Sequence, residues 1–166
     1  MTVEAARVST RIDASPDKVW AALTDKEKLR RFFFGSDIET DWRVGSPIFF
    51  RGDWKGKKYE DKGVIRTADR EKKLSFTHWS ALSNVPDKPE NYHIVTFALR
   101  PAGKATEVEL IQENQNESEP NTPQTREELK KNWSMLLDGL KKVVEDSMRG
   151  FVRGMDTRLD RDDDRV

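Results

Sequence analysis

The chain has 166 residues, 30 basic against 30 acidic side chains, and no cysteine. Disulfides, thiolate nucleophiles and cysteine-ligated metals are thereby excluded. Zero net charge argues against nucleic acid or an anionic membrane as the principal partner, because both reward a positive face.

The length fits one domain. Although 36% of residues are charged, 5 Trp, 8 Phe and 2 Tyr can furnish one aromatic-rich core. No apolar run reaches 18 residues, and Met1-Thr2-Val3-Glu4 carries no basic region leading into an apolar stretch. Membrane insertion and export are therefore not expected, which leaves the cytoplasm. The sequon Asn116-Glu117-Ser118 has no meaning without secretion.

In chain order, Val8, Thr10 and Ile12 alternate with polar neighbours and predict a half-buried strand. Ser15-Pro16 opens a helix, with Ser as N-cap and Val19, Trp20 and Leu23 on one face. Thr24 with Glu27 forms a capping box for a second short helix through Leu29, Phe32 and Phe33, ended by Gly35. Strands dominate from about Ile38 to Asn114. Segments 46–54 and 58–68 flank Gly56 as a hairpin. Within Trp54-Lys55-Gly56-Lys57-Lys58-Tyr59, basic and aromatic residues alternate as on a nucleic-acid strand surface, but a glycine turn with solvated lysines explains them.

Glu71-Lys72-Lys73 turns into a strand over Leu74–Trp79. Segments 91–100 and 105–114 flank Pro101-Ala102-Gly103-Lys104 as a second hairpin. Pairing Pro101 with Lys104 places Phe97 opposite Val108, Val95 opposite Leu110 and His93 opposite Gln112. Extended to the preceding strand, this puts Phe76 opposite Val95 and His78 opposite His93, so both histidines point inward at one end of the sheet. The stretch 114–123 reads as a loop. Thr125 and Glu128 form another capping box, before Leu129, Trp133, Leu136, Leu137, Leu140, Val143 and Val144 at helical spacing. That stripe needs cover, and the concave sheet face supplies it. Residues 151–166 form a polar tail with an acidic run that lacks calcium-loop spacing. Phe151, Met155 and Leu159 leave open a docked helical extension.

Strand, two short helices, strand meander and long helix make the α+β helix-grip arrangement, a single domain over 1–150. Four stretches carry a family resemblance: Ile12-Asp13-Ala14-Ser15-Pro16-Asp17-Lys18-Val19-Trp20; Gly63-Val64-Ile65 with Leu74-Ser75-Phe76-Thr77-His78-Trp79; Pro86-Asp87-Lys88-Pro89-Glu90-Asn91-Tyr92-His93; and Asn132-Trp133-Ser134-Met135-Leu136-Leu137-Asp138-Gly139-Leu140-Lys141. They resemble the START-like (SRPBCC) superfamily, specifically bacterial homologues of the activator of the heat-shock protein 90 ATPase. The resemblance implies a curved antiparallel sheet with a ligand cavity under the long helix. It fixes no single activity, since this fold hosts carriers, cyclases, sensors and co-chaperones.

The chain has no GxGxxG, GxxxxGK, GxSxG or HExxH motif. The one constellation with chemistry is His78 with His93, joined by Gln112 and Tyr92. It suits the polar end of a pocket better than a metal site, because no further His or Cys is available. No catalytic residue, metal or cofactor is therefore assigned. The expected function is binding of a small apolar or amphipathic molecule. The expected contacts are Phe50, Trp54, Phe76, His78, His93, Val95, Phe97, Leu110 and Gln112 of the sheet, with Trp133, Leu137 and Leu140 of the helix. A chaperone-associated protein-interaction module and a cyclase- or hydrolase-type enzyme using His78 and His93 are the alternatives.

Overall fold

The computed structural model describes residues 5–115 and 123–163, with side chains as far as residue 149. The sequon, the acidic run's last residues and the side chains of Phe151, Met155 and Leu159 lie outside the described part.

Strand β1 (Ala6–Ile12) is followed by helices α1 (Pro16–Leu23) and α2 (Lys26–Phe32). Then come β2 (Asp37–Glu39), β3 (Pro47–Trp54), β4 (Lys57–Asp69), β5 (Lys73–His78), β6 (His93–Ala102) and β7 (Ala105–Asn114). Helix α3 (Pro123–Asp163) closes the order. Among the described residues the strands form one seven-stranded antiparallel sheet, ordered β1-β7-β6-β5-β4-β3-β2. This is the helix-grip α+β fold.

The helix starts differ from expectation. Thr24 does not cap α2: its hydroxyl donates to the Trp20 carbonyl at 2.9 Å and closes α1. Asp25 is the cap, accepting from the Lys28 N–H at 3.0 Å. A carboxylate one residue later serves the next orphan amide, that of Lys28 instead of Glu27, and adds a favourable charge at the helix start. Ser15 does precede α1, but its hydroxyl bonds the Asp17 carboxylate rather than a backbone amide. Helix α3 begins at Pro123, so Thr125 lies inside its first turn and is no cap. Proline at the first helical position preorganises that start.

The core follows the period-two and helical patterns. Ile48 and Phe50 of β3, Ile65 of β4, Leu74 and Phe76 of β5, Val95 and Phe97 of β6, and Val108 and Leu110 of β7 are buried. Leu136, Leu137, Leu140, Val143 and Val144 of α3 close over them, with α3 against β1, α1 and α2. Trp133 is half-buried rather than fully part of that stripe. The helix then runs unbroken past residue 150, so the expected tail boundary coincides with no helix end.

Two registers decide where the site lies. Phe76 faces Val95 and His78 faces His93, as the alternation requires. The β6–β7 pairing is displaced by two residues from expectation. Phe97 faces Leu110, Val95 faces Gln112 and His93 faces Asn114. The two-residue loop is Gly103-Lys104, with Ala102 opposite Ala105, because the positive φ of 62° falls on Gly103 as the first loop residue. A slip of two keeps every side chain on its face.

Between β4 and β5 the strands pinch. A Cβ on Gly63 would lie 1.6 Å from the Thr77 carbonyl oxygen, so only glycine fits. The Val64 N–H donates to the Thr77 hydroxyl at 2.9 Å, and the register shifts between Ile65 and Thr67. The pinch sits directly behind His78, whose neighbour Trp79 bridges to Lys62.

Candidate functional site

At the end of the sheet where β3 and β4 run beyond the core, the concave face opens into a cavity of about 400 Å³. Its walls are aromatic: Phe33 and Phe34 after α2, Phe50 and Trp54 of β3, Tyr59 of β4 and Trp133 of α3. Leu82 from the β5–β6 loop, Ser36 and Asp53 complete the rim, with Asp61 and His78 on the sheet wall.

The β3–β4 register builds that wall. Asp61 is opposite Phe50 and Tyr59 is opposite Gly52, so all four share the inner face. Tyr59 lies across Gly52, where an added Cβ would meet its hydroxyl at 2.6 Å. This places the Tyr59 hydroxyl 2.8 Å from that of Ser36. Asp61 accepts the Ala81 N–H at 3.1 Å through one carboxylate oxygen. Its other oxygen lies 3.2 Å from His78 Nε2. The side chains of Asp61 and His78 are 13% and 24% exposed, so the pair is shielded yet reachable from the cavity. His78 meets Phe50 edge-on at 5.1 Å, and His93 stacks nearly parallel to His78 at 6.4 Å.

The helix side is fixed by a polar link. Trp133 Nε1 donates to the buried Gln112 Oε1 at 2.8 Å, while the indole packs 6.2 Å from Phe33 and 6.3 Å from Phe34. Phe34 is 56% exposed and holds a positive φ of 52°. A bulky residue in the left-handed region costs of order 1–3 kcal/mol and persists where the surroundings impose it. Here the α2 end and Gly35, also at positive φ, hold an aromatic ring at the cavity mouth.

Of the twelve contacts expected from the sequence, Phe50, Trp54, His78 and Trp133 line this cavity. Gln112 stands behind Trp133, and His93 behind His78. Phe76, Val95, Phe97, Leu110, Leu137 and Leu140 are at most 3% exposed and belong to packed core. Between the sheet and the α1–α2 pair, the void bounded by Leu23, Leu29, Phe50 and Phe76 measures about 10 Å³, no larger than one water needs. Phe33, Phe34, Ser36, Tyr59, Asp61 and Leu82 were not among the expected contacts. Asp61 of β4 is the partner of His78. The signal for Tyr59 and Asp61 was the alternation Tyr59, Asp61, Gly63, Ile65 along β4. Among the described residues no three His, Asp or Glu side chains cluster closely enough to hold a metal ion.

A second, outer groove of about 620 Å³ runs over the opposite face, between Phe49, Val64 and the loop around Pro89 and Tyr92. That loop is tied to the sheet by the Lys62–Asp87 ion pair at 2.6 Å and the Tyr92–Asp87 hydrogen bond. Burial, then the Asp87 hydrogen bond, pushes the Tyr92 phenol up to about 12. The hydrogen bonds from Lys62, then Tyr92, hold Asp87 below the usual carboxylate range.

Residues 13–145 match the family model described as Activator of Hsp90 ATPase homolog 1-like protein. The chain belongs to this family. A solution structure of a Cytophaga hutchinsonii protein is 41% identical, with a TM-score of 0.76, covering 90% of this chain and 99% of that one. The Aha1 dimer of Colwellia psychrerythraea is 22% identical over 86% of this chain and 96% of its own, with a TM-score of 0.64. A Mesorhizobium loti crystal structure is also 22% identical, over 86% and 97%, with a TM-score of 0.66. The latter two likenesses concern the fold alone. No curated protein matches the sequence. Among the described residues no helix of this family member is long and apolar enough to cross a membrane.

Proposed function

We propose that this family member binds a small apolar or amphipathic molecule in the aromatic cavity at the open end of the sheet. The observation that carries this reading is the cavity's composition: aromatic walls converging on one shielded polar pair, Asp61–His78, within about 400 Å³. Ligand sites of soluble proteins are mostly apolar clefts of roughly 300–1,000 Å³ with a few placed polar groups. The strained, exposed Phe34 adds support, since backbone strain concentrates where a side chain must be presented. Trp54 and Trp133 both line the cavity, so their emission reports on occupancy. The test is solvent extraction of the purified protein followed by mass spectrometry, together with titration by a neutral apolar probe. Retained cargo, or saturable quenching reduced by Trp133→Ala, is the expected result. An empty extract with no saturable probe binding would overturn the reading.

The chaperone-associated alternative draws on the family description and on the outer groove, where Val64 is 42% exposed. It predicts that Val64→Lys weakens a protein partner's binding while leaving probe binding in the cavity unchanged. Cyclase- or hydrolase-type chemistry has less support. Among the described residues no hydroxyl hydrogen-bonds His78, whose partner is Asp61.

A further inference from the structure

We infer that the cavity prefers a cationic apolar ligand, a protonated amine carried on an aromatic or aliphatic body, over an anionic amphiphile. The inference rests on the cavity reading above and specifies its ligand class. The cavity wall holds the carboxylate of Asp61, and among the described residues neither Lys nor Arg lines the cavity. Asp61 is 13% exposed and is hydrogen-bonded by the Ala81 amide and paired with His78. A carboxylate has about four acceptor sites, so these two contacts leave capacity for a further donor.

An anionic headgroup brought beside Asp61 would meet like charge away from bulk water, where screening is weak. An ammonium group there donates up to three hydrogen bonds to acceptors and lies against aromatic faces that attract cations. Trp54 shows that attraction at the rim, where Lys55 Nζ stands 4.5 Å from its ring centroid. The remaining titratable groups near the site are His78, His93, Tyr59 and the exposed Asp53. Among the described lining residues, Asp53 and Asp61 supply two carboxyl groups, and the only basic side chain is the His78 imidazole. Lys55, over Trp54 at the rim, would favour the opposite outcome, since an acid group at the mouth would be near it.

Three isosteric probes separate the possibilities by calorimetry on the full chain at about pH 8, where an ordinary imidazole is neutral. They are naphthylmethylamine, naphthalenemethanol and naphthoate. The amine is expected to bind roughly tenfold more tightly than the alcohol, and the carboxylate more weakly than the alcohol. Asp61→Asn keeps an acceptor for the Ala81 amide, offers His78 Nε2 an amide donor in place of a carboxylate acceptor and removes the charge, and the amine-to-alcohol ratio should fall to near one. If naphthoate equals or exceeds the amine in the wild-type protein, the inference is wrong, and loss of naphthoate binding in Lys55→Gln would assign the preference to the mouth. An amine advantage that survives in Asp61→Asn overturns it as well. Alcohol binding without an amine advantage sinks the charge preference alone, whereas failure of all three probes sinks the cavity reading with it. The wild-type comparison decides the matter even if Asp61→Asn does not fold.

Discussion

Trp133 Nε1 donates its hydrogen bond to Gln112 Oε1 at 2.8 Å, joining α3 to β7 directly behind the cavity. Gln112 is 6% exposed, so removing its donor leaves a buried amide oxygen short of a partner. Its own Nε2 donates to Asn114, which does nothing for that oxygen. Trp133→Phe should therefore destabilise the fold by about 1–3 kcal/mol. Trp133→Ala should cost more, because the contacts with Phe33 and Phe34 go as well, and it should also weaken probe binding. Urea unfolding of the two variants checks both statements. Equal stability of Trp133→Phe and wild type would mean that the hydrogen bond contributes nothing.

Phe34 should behave in the opposite way. Its ring is exposed and its backbone sits where a bulky residue is strained. Asparagine tolerates that conformation, so Phe34→Asn relieves strain of order 1–3 kcal/mol against the loss of two partly exposed ring contacts, with Phe33 and Trp133. The melting temperature should match or exceed that of wild type, while affinity for a neutral apolar probe falls severalfold. A clear loss of stability with undiminished affinity would make Phe34 a packing residue.

These two residues differ in how far the sequence reveals them. Trp133 falls on the stripe with Leu136, Leu137 and Leu140, so its place on the helix face facing the sheet follows from spacing alone. Its half-exposed edge does not, because the strip of helix above the cavity has no sheet side chain to cover it. Phe34 follows no period. Its position depends on the chain reversing after α2 through two left-handed residues, Phe34 and Gly35, of which only the glycine announces itself. The same division holds along the sheet. Alternation assigned Phe76, Val95, Phe97 and Leu110 to the buried face and set His78 opposite His93. It left the β6–β7 step ambiguous by two residues, since a period of two cannot distinguish such registers. Asp61 escaped because its partnership with His78 crosses from β4 to β5 beside a pinch in the ladder, and that pinch is invisible until Gly63 is seen against Thr77.

Gly63 should accordingly be intolerant of any side chain. The obstructing atoms are the carbonyl and backbone of Thr77, which cannot swing away as the end of a long side chain can. Gly63→Ala must part β4 from β5 or shift their register, at about 3 kcal/mol or more, the upper end of overpacking costs. For a chain of this size that is a fall of roughly 6–12 °C in melting temperature. The local spreading should also pull His78 from Asp61 and alter probe binding. A variant that melts within a degree or two of wild type would show that the strands separate freely here.

Alkaline pH should loosen the loop joining β5 to β6. Tyr92 is pushed up to about 12 by burial and by its hydrogen bond to Asp87, so the folded protein holds the phenol proton more tightly than the unfolded chain, whose tyrosines titrate at 10.0. Between those values the unfolded state has released a proton that the native state retains. Unfolding is therefore favoured as pH rises through this window, and the stabilisation present below about pH 10 is lost by about pH 12. Asp87 works in the other direction: lowered below its ordinary 3.8, it contributes above that value and loses its contribution as acid protonates it. The loop anchor should therefore be firmest across the broad middle range and loosen at both extremes. Hydrogen exchange at the amides of Asn91 and Tyr92, which donate to Lys88 and Pro89, should quicken beyond the chemical rate at either end. In Tyr92→Phe the alkaline loosening should shrink, while the acid limb persists through the Lys62–Asp87 pair. An alkaline limb unchanged in Tyr92→Phe would locate the titrating group elsewhere.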